Sequence, residues 1–157
     1  MTSSVDTQSV SALAFSAAGE RYALPVDRVR EVQQIVAFAE VPDETGKVIG
    51  MIDIRGEIVP AIDFRMLIGM SPERYTLETP MIVACSSRGP VALVVEAVDT
   101  VVDLPTSSAE PLPAIHPLAP RMLGVYRLGD ALVFLLDVDA LLEQVALPDV
   151  ARTETDE

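Results

Sequence analysis

The sequence holds one cysteine, one histidine, no tryptophan and seven other aromatic residues among its 157 positions. A lone cysteine, Cys85, excludes an internal disulfide and a cysteine-rich metal site. It stands in the apolar run Met81-Ile82-Val83-Ala84-Cys85 and reads as a small buried hydrophobe. The lone histidine, His116, is the only imidazole that a Ser or Cys nucleophile could pair with. Its setting, Ile115-His116-Pro117 in a proline-rich stretch, reads instead as an exposed loop. No glycine-rich loop opens a helix to cradle phosphate, and no His/Cys/Asp cluster has metal-ligand spacing, so no cofactor is expected. No apolar stretch reaches the length of a membrane span, and Met1 to Ser9 has neither a basic residue nor an apolar signal core. A cytoplasmic protein with no direct membrane insertion is expected. Basic residues are also scarce: 11 Lys and Arg face 24 Asp and Glu, for a net charge of −13. That field repels phosphate backbones and anionic lipid, so nucleic acid is not expected as a partner.

Half of the residues are apolar, enough to bury a core at this length. With so few aromatics that core is made of Val, Ile, Leu, Ala and Met, a mixture that favours strands. The stretch Gly50–Gly69, GMIDIRGEIVPAIDFRMLIG, shows the local rule: an apolar run, an Arg55-Gly56-Glu57 turn, a second apolar run, and a short helical pattern opened by Asp63. Hairpin signals also occur around Ala18-Gly19, Arg88-Gly89 and Gly129-Asp130. Arg30 to Phe38 reads as a strand and Val41 to Gly46 as a loop. Pro105 to Pro120, with prolines also at 111, 113 and 117, reads as a surface excursion outside the sheet. Residues 138–146 have helical spacing.

The two halves match each other. Ala23–Val32 aligns without gaps on Ala92–Val101, and Ala61–Leu67 on Leu135–Leu141, at offsets of 69 and 74. Asp63 and Asp137 fall where a strand gives way to a helical turn, the place for an N-cap. An internal duplication of about 70 residues follows. The expected fold is all-β: two tandem five-stranded barrels packed together, with short helical turns, a C-terminal helix and a groove between the halves. Subdomain one would span about 10–70 and subdomain two about 78–137, with the helix at 138–146 and flexible tails at 1–9 and 148–157.

Convergent polar groups for catalysis are sparse, and the protein reads as a non-enzyme. One alternative of another class is a small metal-dependent hydrolase using Asp53, Glu57 and Asp63, although Asp53 and Glu57 flank a turn and Asp63 reads as a cap. Arg55, at the hairpin tip, can reach a partner protein or an acid of its own chain. Val29 and Val101 can belong to the core or to the groove.

The run from Val48 to Arg65 resembles the signature of CheW-like chemotaxis coupling proteins, where a glycine leads into an Asn-Leu-Arg-Gly turn and a Val-Pro-x-x-Asp-Leu-Arg segment follows. Similarity continues through Tyr22-Ala23-Leu24, Val29–Val32, Ala92–Val95 and Leu135-Leu136-Asp137, covering about residues 12–143. The resemblance implies two five-stranded SH3-like barrels. It also implies a non-enzymatic adaptor between the cytoplasmic tip of chemoreceptors and the regulatory domain of a CheA-type histidine kinase. By position, the coupling contacts would fall on Val29, Glu31, Gly50, Arg55 and Val101. Two departures stand out. Asp53 replaces the usual Asn, placing a negative charge beside Arg55, and Glu96-Ala97 replaces the usual Asp-Glu pair. An adaptor of the same type serving a parallel pathway, such as pili or surface motility, is the alternative within the family.

Overall fold

Consecutive apolar residues such as Tyr22-Ala23-Leu24, Met81–Ala84 and Val91–Val95 leave no polar side for solvent, so strands built from them must be covered on both faces. The structure, a computed structural model, describes residues 8–35, 47–71 and 74–147. The first half runs β1 (Ser9–Ala17), β2 (Glu20–Pro25), a 3-10 turn (Val26–Arg28), β3 (Val29–Gln34), β4 (Val48–Ile54), β5 (Glu57–Asp63) and α1 (Phe64–Leu67). The second runs β6 (Pro80–Ser86), β7 (Gly89–Val94), β8 (Ala97–Pro105), β9 (Ala109–Glu110), β10 (Met122–Leu128), β11 (Ala131–Leu136) and α2 (Val138–Leu141). Hairpin, single strand, hairpin and helical turn thus recur in both halves, the order a duplication gives. The expected segments 1–7, 36–46 and 148–157 lie outside the described residues.

The strands do not sort by half. One sheet has the order β8-β1-β2-β11-β10-β9 and the other β3-β6-β7-β5-β4. Each therefore takes its central hairpin from the opposite half of the chain, and the sequential division at about residue 70 corresponds to neither. The cause lies in the connections. The hairpins β1–β2 and β6–β7 are closed by two-residue turns, but after Pro25 the 3-10 turn carries the chain to the other sheet, and Val95-Glu96 carries it back. Parallel pairing of β11 with β2 and of β5 with β7 locks the exchange.

The barrels are also not closed by hydrogen bonds. β3 and β4 are the outer strands of the five-stranded sheet, and β8 and β9 those of the six-stranded one. β9 stops after two residues because Pro111 and Pro113 cannot donate to a ladder. Even so, the proline-rich stretch is not wholly outside the sheet, since Pro105 pairs with Ser9 at the end of an edge strand and Ala109–Glu110 pairs with β10. Pro60 is accommodated inside β5 because it faces Met51 one pair away from the hydrogen-bonded Val59 position, and the pairing to β7 begins only at Ala61.

Alternation along the strands divides the apolar side chains into three clusters. Ile52, Val59, Ala61, Met81, Val83, Ala92 and Val94 fill the five-stranded sheet. Ala12, Ala23, Leu104, Val133 and Leu135 fill the six-stranded one. Their neighbours in sequence, including Phe15, Tyr22, Leu24, Ile62, Phe64, Ile82, Leu93, Phe134 and Leu136, form the largest cluster between the sheets. Asp63 and Asp137 cap the helical turns as expected, accepting from Arg65 N at 2.8 Å and Ala140 N at 3.2 Å. The expected C-terminal helix is shorter than 138–146. It is α2 plus a 3-10 turn at Leu142–Gln144, and Val145 is extended because Arg88 takes the carbonyls of Leu142 and Val145 at 2.5 and 3.2 Å.

Candidate functional site

Where the backbone ladder stops between β3 and β4, side chains take over. The β4–β5 turn consists of Arg55 (φ +54°) and Gly56 (φ +89°), both left-handed, the pattern of a type I′ hairpin. Glycine adopts this freely; for Arg55 it is an uncommon conformation, held in part by Asp53 Oδ1, which accepts from Gly56 N at 2.7 Å. From this tip the Arg55 guanidinium reaches across to β3 and grips Glu31 with two bonds, Nη1–Oε1 at 2.9 Å and Nη2–Oε2 at 2.5 Å. Gln33 Nε2 adds a 2.7 Å bond to the same carboxylate. Beside them, Arg30 Nη1 meets Glu57 Oε1 at 3.0 Å. The open edge is thus a charged seam in which Arg30 and Glu31 of one strand face Glu57 and Arg55 of the opposing hairpin.

Its electrostatics are one-sided. The Arg55 bonds, then Gln33, hold the Glu31 carboxyl down to about 2 from its ordinary 4.5, and Glu31 in turn raises Arg55. A depressed carboxylate contributes fully above pH 4.5 and loses its contribution as pH falls through about 2, so the seam persists through mild acid. A carboxyl NMR titration should give Glu31 a midpoint near 2, rising toward 4.5 in Arg55→Gln; a wild-type midpoint near 4.5 would mean that the grip does not exist in solution.

Of the five residues singled out in the sequence, the structure joins Glu31 to Arg55. It also resolves what holds Arg55: Glu31, while Asp53 is turned to its own hairpin. Yet the Arg55 side chain remains 68 % exposed, so its outer face is open to solvent. Val29 begins β3 opposite Ala84, half-buried against the inter-sheet core, and a register shift separates it from Glu31. Gly50 is buried in β4 opposite Ala61, at a similar shift after Val48. Val101 lies on the other sheet, in β8 opposite Leu13, and is 51 % exposed. Two concavities, of about 190 and 570 Å³, border Tyr75 and Leu132 respectively, and neither includes Val29 or Val101. Sequence reasoning missed Arg30 and Glu57 as a pair. The signal was present in opposed charges, Arg30-Glu31 against Arg55-x-Glu57.

The hydrolase carboxylates have separate partners: Asp53 the Gly56 amide, Glu57 Arg30, and Asp63 the Arg65 amide and the Tyr75 hydroxyl at 2.5 Å. Burial, with this bond to Asp63, pushes the Tyr75 phenol upward. Among the described residues no group of three His, Cys, Asp or Glu side chains is placed to hold a metal ion. His116 is not exposed. Its side chain is 9 % accessible, with Nε2 bonded to Glu20 at 2.8 Å, Nδ1 accepting from Leu118 N at 3.0 Å, and its ring against Phe134 and Tyr22. Cys85 is half-buried rather than buried, because it lies near the end of β6 opposite Pro90.

Among the described residues the buried side-chain polar atoms are all hydrogen-bonded, and the charged seam lies at an outer edge of a β-rich body. The model of the CheW-like domain matches residues 11–146, and the chain belongs to that family. It is 30% identical over 144 residues to the chemotaxis protein CheW of Klebsiella aerogenes, covering 87% of this chain and 85% of that one. It is 24% identical over 145 residues to CheW of Bacillus subtilis, covering 88% and 93%. The crystal structure of the scaffolding protein TtCheW from Thermoanaerobacter tengcongensis superposes with a TM-score of 0.77 at 25% identity, covering 87% of this chain and 94% of that one. Among the described residues no helix is long and apolar enough to cross a membrane.

Proposed function

We propose that the protein is a non-enzymatic cytoplasmic adaptor that couples the cytoplasmic tips of chemoreceptors to a CheA-type histidine kinase. The observation that carries this reading, beyond family membership, is the exposed outer face of Arg55 on a guanidinium whose inner face is fixed by Glu31. A cation anchored in this way meets a partner carboxylate or carbonyl with little further loss of side-chain freedom. The kinase contact belongs on this seam, around Glu31 and Arg55, with Gly50 buried in β4 behind it. Receptor tips, which are helical, need an apolar surface, and Val101 on outer strand β8 supplies one. Its repeat counterpart at the offset of 69 is Val32, which is also exposed, on outer strand β3.

Two measurements test this. A pull-down from the same cell should recover a histidine kinase and chemoreceptors together; recovery of a pilus or surface-motility kinase instead would assign the protein to a parallel pathway. Val101→Asp should change stability by about 0.5 kcal/mol or less, as surface substitutions do, while lowering receptor affinity on the order of tenfold, as loss of an interface anchor does. A melting transition that collapses would make Val101 a structural residue and remove it from the receptor surface.

A further inference from the structure

One ion pair suffices to hold Arg55, but the seam has two. The second, Arg30–Glu57, joins side chains that are 31% and 41% exposed, and pairs of that kind contribute little to stability. Its position is more informative. Glu57 is two residues from Arg55 on the same hairpin, and its charge acts on the Arg55 guanidinium. Arg55 therefore has two acids to choose between, Glu31 across the seam and Glu57 on its own hairpin. In the structure Glu57 is taken by Arg30 Nη1 at 3.0 Å, and the same guanidinium places Nε 3.4 Å from Glu31 Oε2. The four groups run Glu57, Arg30, Glu31, Arg55 with alternating sign, and Arg30 touches both carboxylates.

We propose that Arg30 is a positioning residue: by occupying Glu57 it prevents the hairpin's own carboxylate from capturing Arg55, and so keeps Arg55 directed across the seam with its outer face presented to a partner. The proposal rests on the reading of Arg55 as a partner contact. It makes the two members of the Arg30–Glu57 pair unequal. Removing Arg30 frees a competitor for Arg55, whereas removing Glu57 removes the competitor itself.

The test uses the full chain as Arg30→Gln, Glu57→Gln and the double variant. Arg55 is followed by its Nε–Hε resonance, and affinity is measured with the kinase regulatory domain as probe. Arg30→Gln should shift or broaden the Arg55 signal and weaken binding about three- to tenfold with an unchanged melting temperature. Glu57→Gln should leave both as in the wild type, and the double variant should restore both. A merely structural ion pair would give equal effects from either single change and no recovery. An unmoved Arg55 signal in Arg30→Gln, or a double variant no better than Arg30→Gln, would overturn the assignment. If Arg55→Glu binds the probe like the wild type, the reading of Arg55 as a partner contact fails, while the Arg55 resonance in Arg30→Gln still decides the role of Arg30.

Discussion

Arg55→Glu should lower affinity for the kinase regulatory domain by about tenfold or more, the scale of an interface hot spot, with an unchanged circular dichroism spectrum. The fold should tolerate the change because the Arg55 side chain is 68% exposed and fills no part of any core cluster. Local electrostatics should not tolerate it. A glutamate at the tip would face Glu31 and stand beside Glu57, in a chain already at −13, so the side chain would swing away and the seam would present repulsion where it had presented a cation. Lysine should be intermediate, since it keeps the charge and loses the two-pronged grip on Glu31. Unchanged affinity by calorimetry for the Glu variant, with the spectrum intact, would remove Arg55 from the interface.

The largest effect on stability should come from Phe64→Ala. Phe64 is fully buried at the start of α1, with ring centroids 5.1 Å from Phe15 and 4.8 Å from Tyr22, both edge-on. These three rings join α1 to β1 and β2 in the cluster between the sheets, and truncation would leave a cavity there. Removing a core phenylalanine costs about 3–5 kcal/mol, on the order of 10 °C in Tm for a chain of this size. Because each sheet takes a hairpin from the other half of the chain, the loss should appear in a single transition monitored equally by near- and far-ultraviolet circular dichroism. A fall of less than 3 °C, or two separate transitions, would contradict a shared core.

Much of this architecture was legible residue by residue. Apolar runs buried on both faces, left-handed glycine turns and the paired caps Asp63 and Asp137 are local features, and local physics gives strands, hairpins and helical turns. The exchange of hairpins between halves was not legible, because a two-residue turn specifies that β6 meets β7 but carries no information about which sheet receives them. That choice is made by parallel pairings such as Ala61 with Ala92, far apart in sequence. The short β9 and the open edges follow from prolines and charges whose positions are plain in sequence but whose neighbours are not.

The site shows the same limit. Glu31 and Arg55 were indicated by the motif, yet whether Arg55 served the chain or a partner stayed open, and the geometry gives it an internal face and an outer one. Arg30 and Glu57 looked like ordinary solvated charges until the fold set β3 against the β4–β5 turn. His116 misled for a similar reason. Flanking prolines suggest exposure, whereas its partners Glu20 and Tyr22 lie on β2, some 95 residues earlier.

Reconstitution of three purified components tests the adaptor claim most directly: this protein, the kinase regulatory domain and the receptor cytoplasmic tip, separated by analytical ultracentrifugation. The adaptor reading predicts that receptor and kinase domain co-sediment only when this protein is present, and that Arg55→Glu abolishes the three-part complex. Receptor and kinase domain sedimenting together equally well without it, or no binding of this protein to either one, would contradict the claim.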